Sequence, residues 1–356
     1  MSETTQYLVN KNDFSDLRVV KTPLPQLQKG EALIRIGRVA FTANNISYAL
    51  AGESLGYWKF FPPAGDRNTH GLIPVWGYGE VEAENDSGLE IGESVFGYWP
   101  MASHWIVQPG SVKPHRFMDS AEHRAALPGI YNNYRRVAKE EMEDRSYGDR
   151  QSLLFPLVGT AFGIFDWLQT EGRGQAAQIV LTSASSKTAL GLAFLAKNKS
   201  DLKVIGLTSP GNREATEKIG FYHQVLSYDD LEKITQAPTI IVDMAGNGGL
   251  SAKLHRHLGD NMLREARVGA THADKVFAVD GIIKERSFFF FLPSHAAKRQ
   301  PETDGAFLKD MLAFSSEFAR QSDGWLDIVD GETAALYEKV RTGSIAPNQG
   351  AILSLS

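Results

Sequence analysis

The 356-residue sequence contains no cysteine. That absence excludes disulfides, iron–sulfur clusters, thiolate zinc sites and a cysteine nucleophile, and leaves histidine and carboxylates to hold any metal. An excess of positive charge is also missing: 37 Lys+Arg stand against 42 Asp+Glu, a formal net charge of −5. A basic nucleic-acid binder is therefore not expected. The opening residues, MSETTQYLVNKNDF, lack the cationic start and apolar core of a secretory signal. The longest strongly apolar stretch, 153–165, contains Pro156 and falls short of the roughly 18–20 residues of a membrane span. A cytoplasmic protein without nucleic-acid or membrane partners is expected. Neither H-E-x-x-H nor G-x-S-x-G occurs, and His255 and His257 are spaced badly for one helical face. No metal site and no nucleophile-elbow hydrolase is expected.

What the chain does contain is enough to fold: 42% of residues are hydrophobic and 22% charged, an ordinary balance for globular proteins. The length suggests about two domains. The first third carries short alternating or β-branched runs at 31–41, 79–84, 93–99 and 103–114, with prolines and glycines clustered between them. Such a pattern reads as a β-barrel-like unit with tight turns. From 117 to 150 charge dominates, and the expectation there is a solvated helix or mobile connector, with a lid over a cleft as the functional alternative. Beyond it the rhythm changes. An apolar helix at 153–169 leads into strands at 178–182, 202–207 and 239–243 that are continuously apolar and alternate with helices. Continuous apolarity marks a parallel sheet covered on both faces. Runs at 264–272 and 286–293 add one strand each, followed by a helix at 306–321, a short helix at 332–343 and a last strand at 351–356.

The chemistry concentrates where the first of those strands turns into a helix, at QIVLTSASSKTALGLAFLAKN. A helix N-terminus offers unpaired N–H groups and the positive end of a dipole to a pyrophosphate. The G-x-G-x-x-G fingerprint is absent; Ser183, Ala184, Ser185, Ser186, Lys187 and Thr188 take its place. The same residues also suit an ordinary Ser N-cap. At the end of the next strand Thr208 and Ser209, with Arg213 close behind, stand where an NAD site carries a carboxylate. Neutral donors with a guanidinium suit a 2′-phosphate, favouring NADP(H), although a solvent-facing Arg at a helix start would look the same. In the first domain, FTANNISYALAGE reads as a strand passing into a polar turn with Asn44, Asn45 and Tyr48. A Tyr hydroxyl there can donate to a carbonyl oxygen or simply satisfy a loop backbone. The aromatic stretches at 57–61 and 96–100 serve equally as core or as walls of an apolar cleft.

Taken in order, EALIRIGRVAFTANNISYALAG, IPVWGYGEVEAE, IGESVFGYWPMASHWIVQP, LLFPLVGTAFGIFDWL and the run from QIVLTSAS to TIIVDMAG resemble the medium-chain dehydrogenase/reductase superfamily. Within it they resemble the zinc-independent quinone oxidoreductase-like reductases. PVWGYG and TSASSKTA are similar to strings of a branch known mainly as a domain of unknown function. The resemblance implies an α/β fold: a Rossmann-like doubly wound parallel sheet plus a GroES-like β-barrel domain. It places the GroES-like catalytic domain at 1–150, the Rossmann-like domain at 151–293, and a segment at 294–356 returning to the first. Val75 and Trp76 stand where zinc-dependent relatives have a His–Glu pair. By the same likeness Tyr48, with Asn45, falls in the catalytic loop, Arg213 on the residue holding the 2′-phosphate, and Tyr228 near the adenosine phosphate. Ser183, Ser185, Ser186, Lys187, Thr188, Thr208, Ser209 and Gly246 complete the expected cofactor set. The implied activity is NADPH-dependent reduction of an enone C=C or a quinone-like small molecule by a homodimer. A nucleotide-binding sensor with little catalysis and a zinc-free carbonyl reductase are the alternatives.

Overall fold

Alternation of apolar and polar residues along 31–41 buries Ile34, Ile36, Val39 and Phe41 completely, so one face of that run is core. The computed structural model describes residues 3–268 and 279–355, without the side chains at 139 and 140. It falls into two units, Met1–Phe155 with Ala319–Ser356, and Pro156–Phe318. The boundaries read from the sequence lay at 150 and 293.

In the first unit the strands are β1 (Glu3–Asn10), β2 (Asp13–Pro23), β3 (Glu31–Phe41), β4 (His70–Leu72), β5 (Pro74–Asn85), β6 (Ser94–Pro100), β7 (His104–Val107), β8 (Pro109–Lys113), β9 (Arg116–Asp119) and β10 (Asn133–Val137). A three-stranded sheet runs β2-β1-β4. The larger sheet passes through β3, β5, β6, β10, β9 and β8, with β7 also on β3. The C-terminal strand Gln349–Ser354 pairs antiparallel with β3 and parallel with Asp327–Gly331. Val75, Val81, Val95, Trp99 and Tyr134 pack with the β3 residues in one core. Each such side chain contributes about 1.5–3 kcal/mol on burial.

Three readings need correction here. The 117–150 segment is a partly exposed helical stretch only from 139 on, at Lys139–Glu143 and from Arg145; before that it is no loose connector, since it contains most of β9 and all of β10, and Arg124 is fully buried. The guanidinium is excluded from water because Asp119, Asn132, Tyr134 and the Tyr131 carbonyl satisfy it, which no apolar stripe reveals. FTANNISYAL is not a polar turn. Ala43–Leu50 forms helix α1, started by a capping box in which the Thr42 side chain accepts from Asn44 N–H and the Asn45 side chain bonds the Thr42 backbone. The apolar stretch at 153–165 is extended by its polar flanks into the helix Arg145–Trp167, long and apolar enough to cross a membrane by length and composition, with 56% of its most apolar window buried in the protein.

The second unit holds β11 (Gln178–Leu181), β12 (Lys203–Thr208), β13 (Gln224–Ser227), β14 (Thr239–Asp243), β15 (Met262–Arg267) and β16 (Ser287–Phe289). All five pairings are parallel, in the order β13-β12-β11-β14-β15-β16. Numbered along the chain, that order is 3-2-1-4-5-6, the doubly wound Rossmann arrangement, whose ligand crevice lies at the strand C-termini where β11 and β14 diverge. The strand expected over 264–272 ends at Arg267; residues 269–272 lie outside the described residues.

Candidate active site

At the C-terminal end of β11 the chain turns through Ser183 to Ser186 into the helix Lys187–Lys199. Ser183 takes φ +51°, the left-handed conformation a glycine fingerprint would supply. Its N–H donates to the Tyr228 hydroxyl at 3.2 Å. Ser186 is the N-cap, its hydroxyl accepting from Ala189 N–H at 3.3 Å. Ser185 Oγ accepts from Thr208 Oγ1 at 3.3 Å and Asn212 Nδ2 at 3.4 Å, tying the turn to the end of β12. Close approach is possible because β12 has Gly206 there: a Cβ would lie 2.7 Å from that of Ala184. Lys187 opens the helix, and desolvation by burial lowers its amine to about 8. Thr188, half-buried, follows in the first turn.

The structure thus brings Ser183, Ser185, Thr208 and Tyr228 together. Ser209 starts the 3₁₀ turn Pro210–Asn212, and Arg213 begins the next helix as an exposed side chain. Gly246 lies across the switch point, after β14, with φ +65° and its N–H donating to Asp243 Oδ1 at 3.1 Å. Sequence reasoning missed the anchor beside it. Thr182 donates to Asp243 Oδ1 at 2.7 Å while accepting from Met244 N–H and Ala245 N–H, so β11 and β14 are locked where a ligand would enter. Burial raises the Asp243 carboxyl above its ordinary range. The signal available was a Thr and an Asp ending two apolar strands.

Tyr48 and Asn45 belong to the first unit. Asn45 is committed to structure: Oδ1 accepts from Thr42 N–H at 2.7 Å and Nδ2 donates to the Pro74 carbonyl at 2.8 Å, which fastens α1 to β5. Tyr48, one turn on, enters a cluster with Tyr57, Phe60, Trp76, Tyr98 and Tyr131. Its ring lies 4.5 Å from Tyr57 and edge-on to Tyr98 at 5.8 Å. Burial pushes the Tyr48 hydroxyl up to about 12, offset in part by hydrogen bonding from Trp76, Asn44 and Tyr131. The Tyr57 and Tyr131 hydroxyls bond each other at 2.9 Å. The aromatic stretches are therefore core that also surrounds a polar point.

No group of three or more His, Asp or Glu able to hold a metal occurs among the described residues. The family described as "Protein of unknown function (DUF2855)" matches residues 39–346. The chain belongs to that family. No curated protein matches it. Solved structures do resemble this DUF2855 chain. The quinone oxidoreductase from Coxiella burnetii is 15% identical, with a TM-score of 0.60 over 100% of both chains. CurA in complex with NADPH, from Vibrio vulnificus, is 13% identical with a TM-score of 0.63 over 100% of this chain and 99% of that one. A mutant form of enoyl thioester reductase from Candida tropicalis is 12% identical, with a TM-score of 0.62 over 99% and 100%. The fold is that of the medium-chain dehydrogenase/reductase superfamily, a GroES-like unit and a Rossmann unit.

Proposed function

We propose that this protein is an NADPH-dependent, zinc-independent reductase of an enone C=C or a quinone-like acceptor, working as a homodimer on a small molecule. The observation that carries the reading is the left-handed serine turn at the end of the first strand of a 3-2-1-4-5-6 sheet. A left-handed residue, a capped helix start and a desolvated Lys187 answer the needs of a pyrophosphate without glycines. Thr208, Ser209 and Arg213 offer hydroxyls and a cation at the adenosine end, in place of the carboxylate that an NAD site carries at the end of this strand. The quinone oxidoreductase, the NADPH complex and the enoyl reductase among the similar folds support the reaction class.

The bound reduced nicotinamide supplies a hydride. This chain's part is binding, orientation and a proton-donating contact. Ser185, Ser186, Lys187 and Thr188 serve the pyrophosphate; Ser183 and Tyr228 brace the turn, and Gly246 shapes the loop opposite. Tyr48 donates to the substrate oxygen, where enolate charge develops; losing one such donor costs about 3–4 kcal/mol in the transition state. Asn45 positions Tyr48 by fixing α1 against Pro74.

Calorimetry with NADPH and NADH tests the cofactor half. Saturable NADPH binding that Arg213→Ala weakens at least tenfold more than NADH binding is expected; equal loss for both removes the 2′-phosphate assignment. NADPH oxidation with cyclohex-2-enone and 1,4-naphthoquinone tests the chemistry. Tyr48→Phe should lower kcat by 10²–10³-fold with NADPH affinity kept. Binding without turnover across both acceptors would instead mark a nucleotide sensor.

A further inference from the structure

A hydroxyl has one hydrogen to donate and two lone pairs to fill, so once both lone pairs are taken the direction of its hydrogen is set. Ser185 is in that position at the turn after β11. Its Oγ accepts from Thr208 Oγ1 at 3.3 Å and from Asn212 Nδ2 at 3.4 Å. Both donors belong to the end of β12 and the loop after it, and among the described residues no acceptor meets the hydrogen of Ser185 itself. That hydrogen is left to point away from β12. Ser185 is only half-buried, so a ligand can reach it.

The backbone places Ser185 before its side chain is oriented. Ala184 N–H donates to the Leu207 carbonyl at 2.9 Å, and the Ala184 carbonyl accepts from the Tyr222 hydroxyl at 2.8 Å. The turn therefore lies against the end of β12, where buried Thr208 is a fixed neighbour. Asn212 is the less expected donor. It stands at the N-cap of the helix Arg213–Ile219, where an asparagine side chain ordinarily accepts from the second or third helical N–H, and it makes no such bond. The loop is closed by other groups: Asn212 N–H donates to the Ser209 carbonyl at 3.0 Å, and the Asn212 carbonyl accepts from Thr216 Oγ1 at 2.7 Å. The amide leaves the cap unmade and turns to Ser185.

We propose that Asn212 is a positioning residue for the dinucleotide: with Thr208 it holds the Ser185 hydroxyl as a fixed outward donor to an oxygen of the pyrophosphate. This rests on the reductase reading for its ligand and adds to it a residue that itself touches no part of the cofactor. A serine free to rotate loses entropy on meeting an anion and offers a lone pair as readily as a hydrogen. One whose lone pairs are filled presents only the hydrogen. Its bond to a phosphate oxygen is charge-assisted, among the stronger kinds. Because NADPH and NADH share the pyrophosphate, the contribution of Asn212 is the same for both. That separates it from Arg213, whose place is at the 2′-phosphate.

A double-substitution cycle on the intact protein, read by calorimetry with NADPH and with NADH, tests this. Ser185→Ala should weaken both coenzymes about tenfold, and Asn212→Ala both about threefold. In the Ser185→Ala background Asn212→Ala should change neither Kd, since the hydroxyl through which it acts is gone. Asn212→Ala should also leave Tm in place, and in turnover with cyclohex-2-enone its effect should fall on KM for NADPH rather than on kcat. Additive losses overturn the proposal. So does a loss from Asn212→Ala confined to NADPH, which would put the amide on the 2′-phosphate, or a clearly lower Tm, which would make it a helix cap. A parent protein that binds neither coenzyme sinks the dinucleotide reading and this proposal with it, whereas additive losses in a protein that binds both leave that reading standing.

Discussion

Lys187 carries the clearest pH signature of any single residue at the turn from β11 into the following helix. Burial brings its amine to about 8, below the roughly 10.4 of an unfolded chain. Between those values the unfolded state binds the extra proton, so this group's contribution to folding stability rises with pH across that window and is unfavourable below pH 8. Cofactor affinity runs the opposite way. In the proposed function the Lys187 cation faces the pyrophosphate; it is present at pH 7 and mostly lost by pH 9, so the Kd for NADPH should grow about tenfold over that interval. Calorimetry at the two pH values checks it. Lys187→Met should flatten the dependence, and a flat profile in the parent protein would place Lys187 away from the phosphates. The residue identities were legible in the sequence, since small and hydroxylated side chains filled the strand–helix turn. Ser183 at φ +51° was not. A left-handed serine costs about 1–2 kcal/mol, and only the surrounding anchors, among them Tyr228 on its N–H, hold it there.

At the scale of elements, legibility followed the kind of burial. β11, β12 and β14 showed themselves because strands covered on both faces are apolar at every position. α1 did not, because its capping pair is Thr42 and Asn45 rather than Thr and Glu, and its polar residues looked like a turn. The stretch between β9 and β10 hid for the opposite reason: what it buries is a charge. Arg124 donates to Asp119 at 2.7 Å, Tyr134 at 2.8 Å, Asn132 at 2.9 Å and the Tyr131 carbonyl at 2.9 Å. Removing one partner of a buried pair strands the other, at about 3–5 kcal/mol. Arg124→Met should therefore destabilise the protein by that amount in urea unfolding. It should also loosen Tyr131, and with it the ring against which Tyr48 and Trp76 pack. A loss below about 1 kcal/mol would show that the connector is indifferent to its arginine.

For the whole molecule the open question is the edge of the parallel sheet. β16 pairs with β15 on one side, and no strand among the described residues pairs with its other side. Phe288, Phe289 and Phe291 there are only half-buried, and with Trp167 they line a groove of about 430 Å³. An apolar strand edge left open templates pairing with another chain. A two-fold arrangement, in which β16 of one protomer meets β16 of a second, closes both edges at once and leaves nothing to propagate. Three phenylalanines supply the apolar contact that a stable interface needs, and Arg264, Arg286 and Lys298 against Glu171 and Glu285 give the groove a mixed rim that can pair with its own copy. Sedimentation velocity at micromolar concentration should accordingly show a dimer, and Phe289→Glu, which brings two like charges to the two-fold axis, should shift it to monomer without altering the far-ultraviolet circular dichroism. A parent protein sedimenting as a monomer at micromolar concentration would refute the dimer.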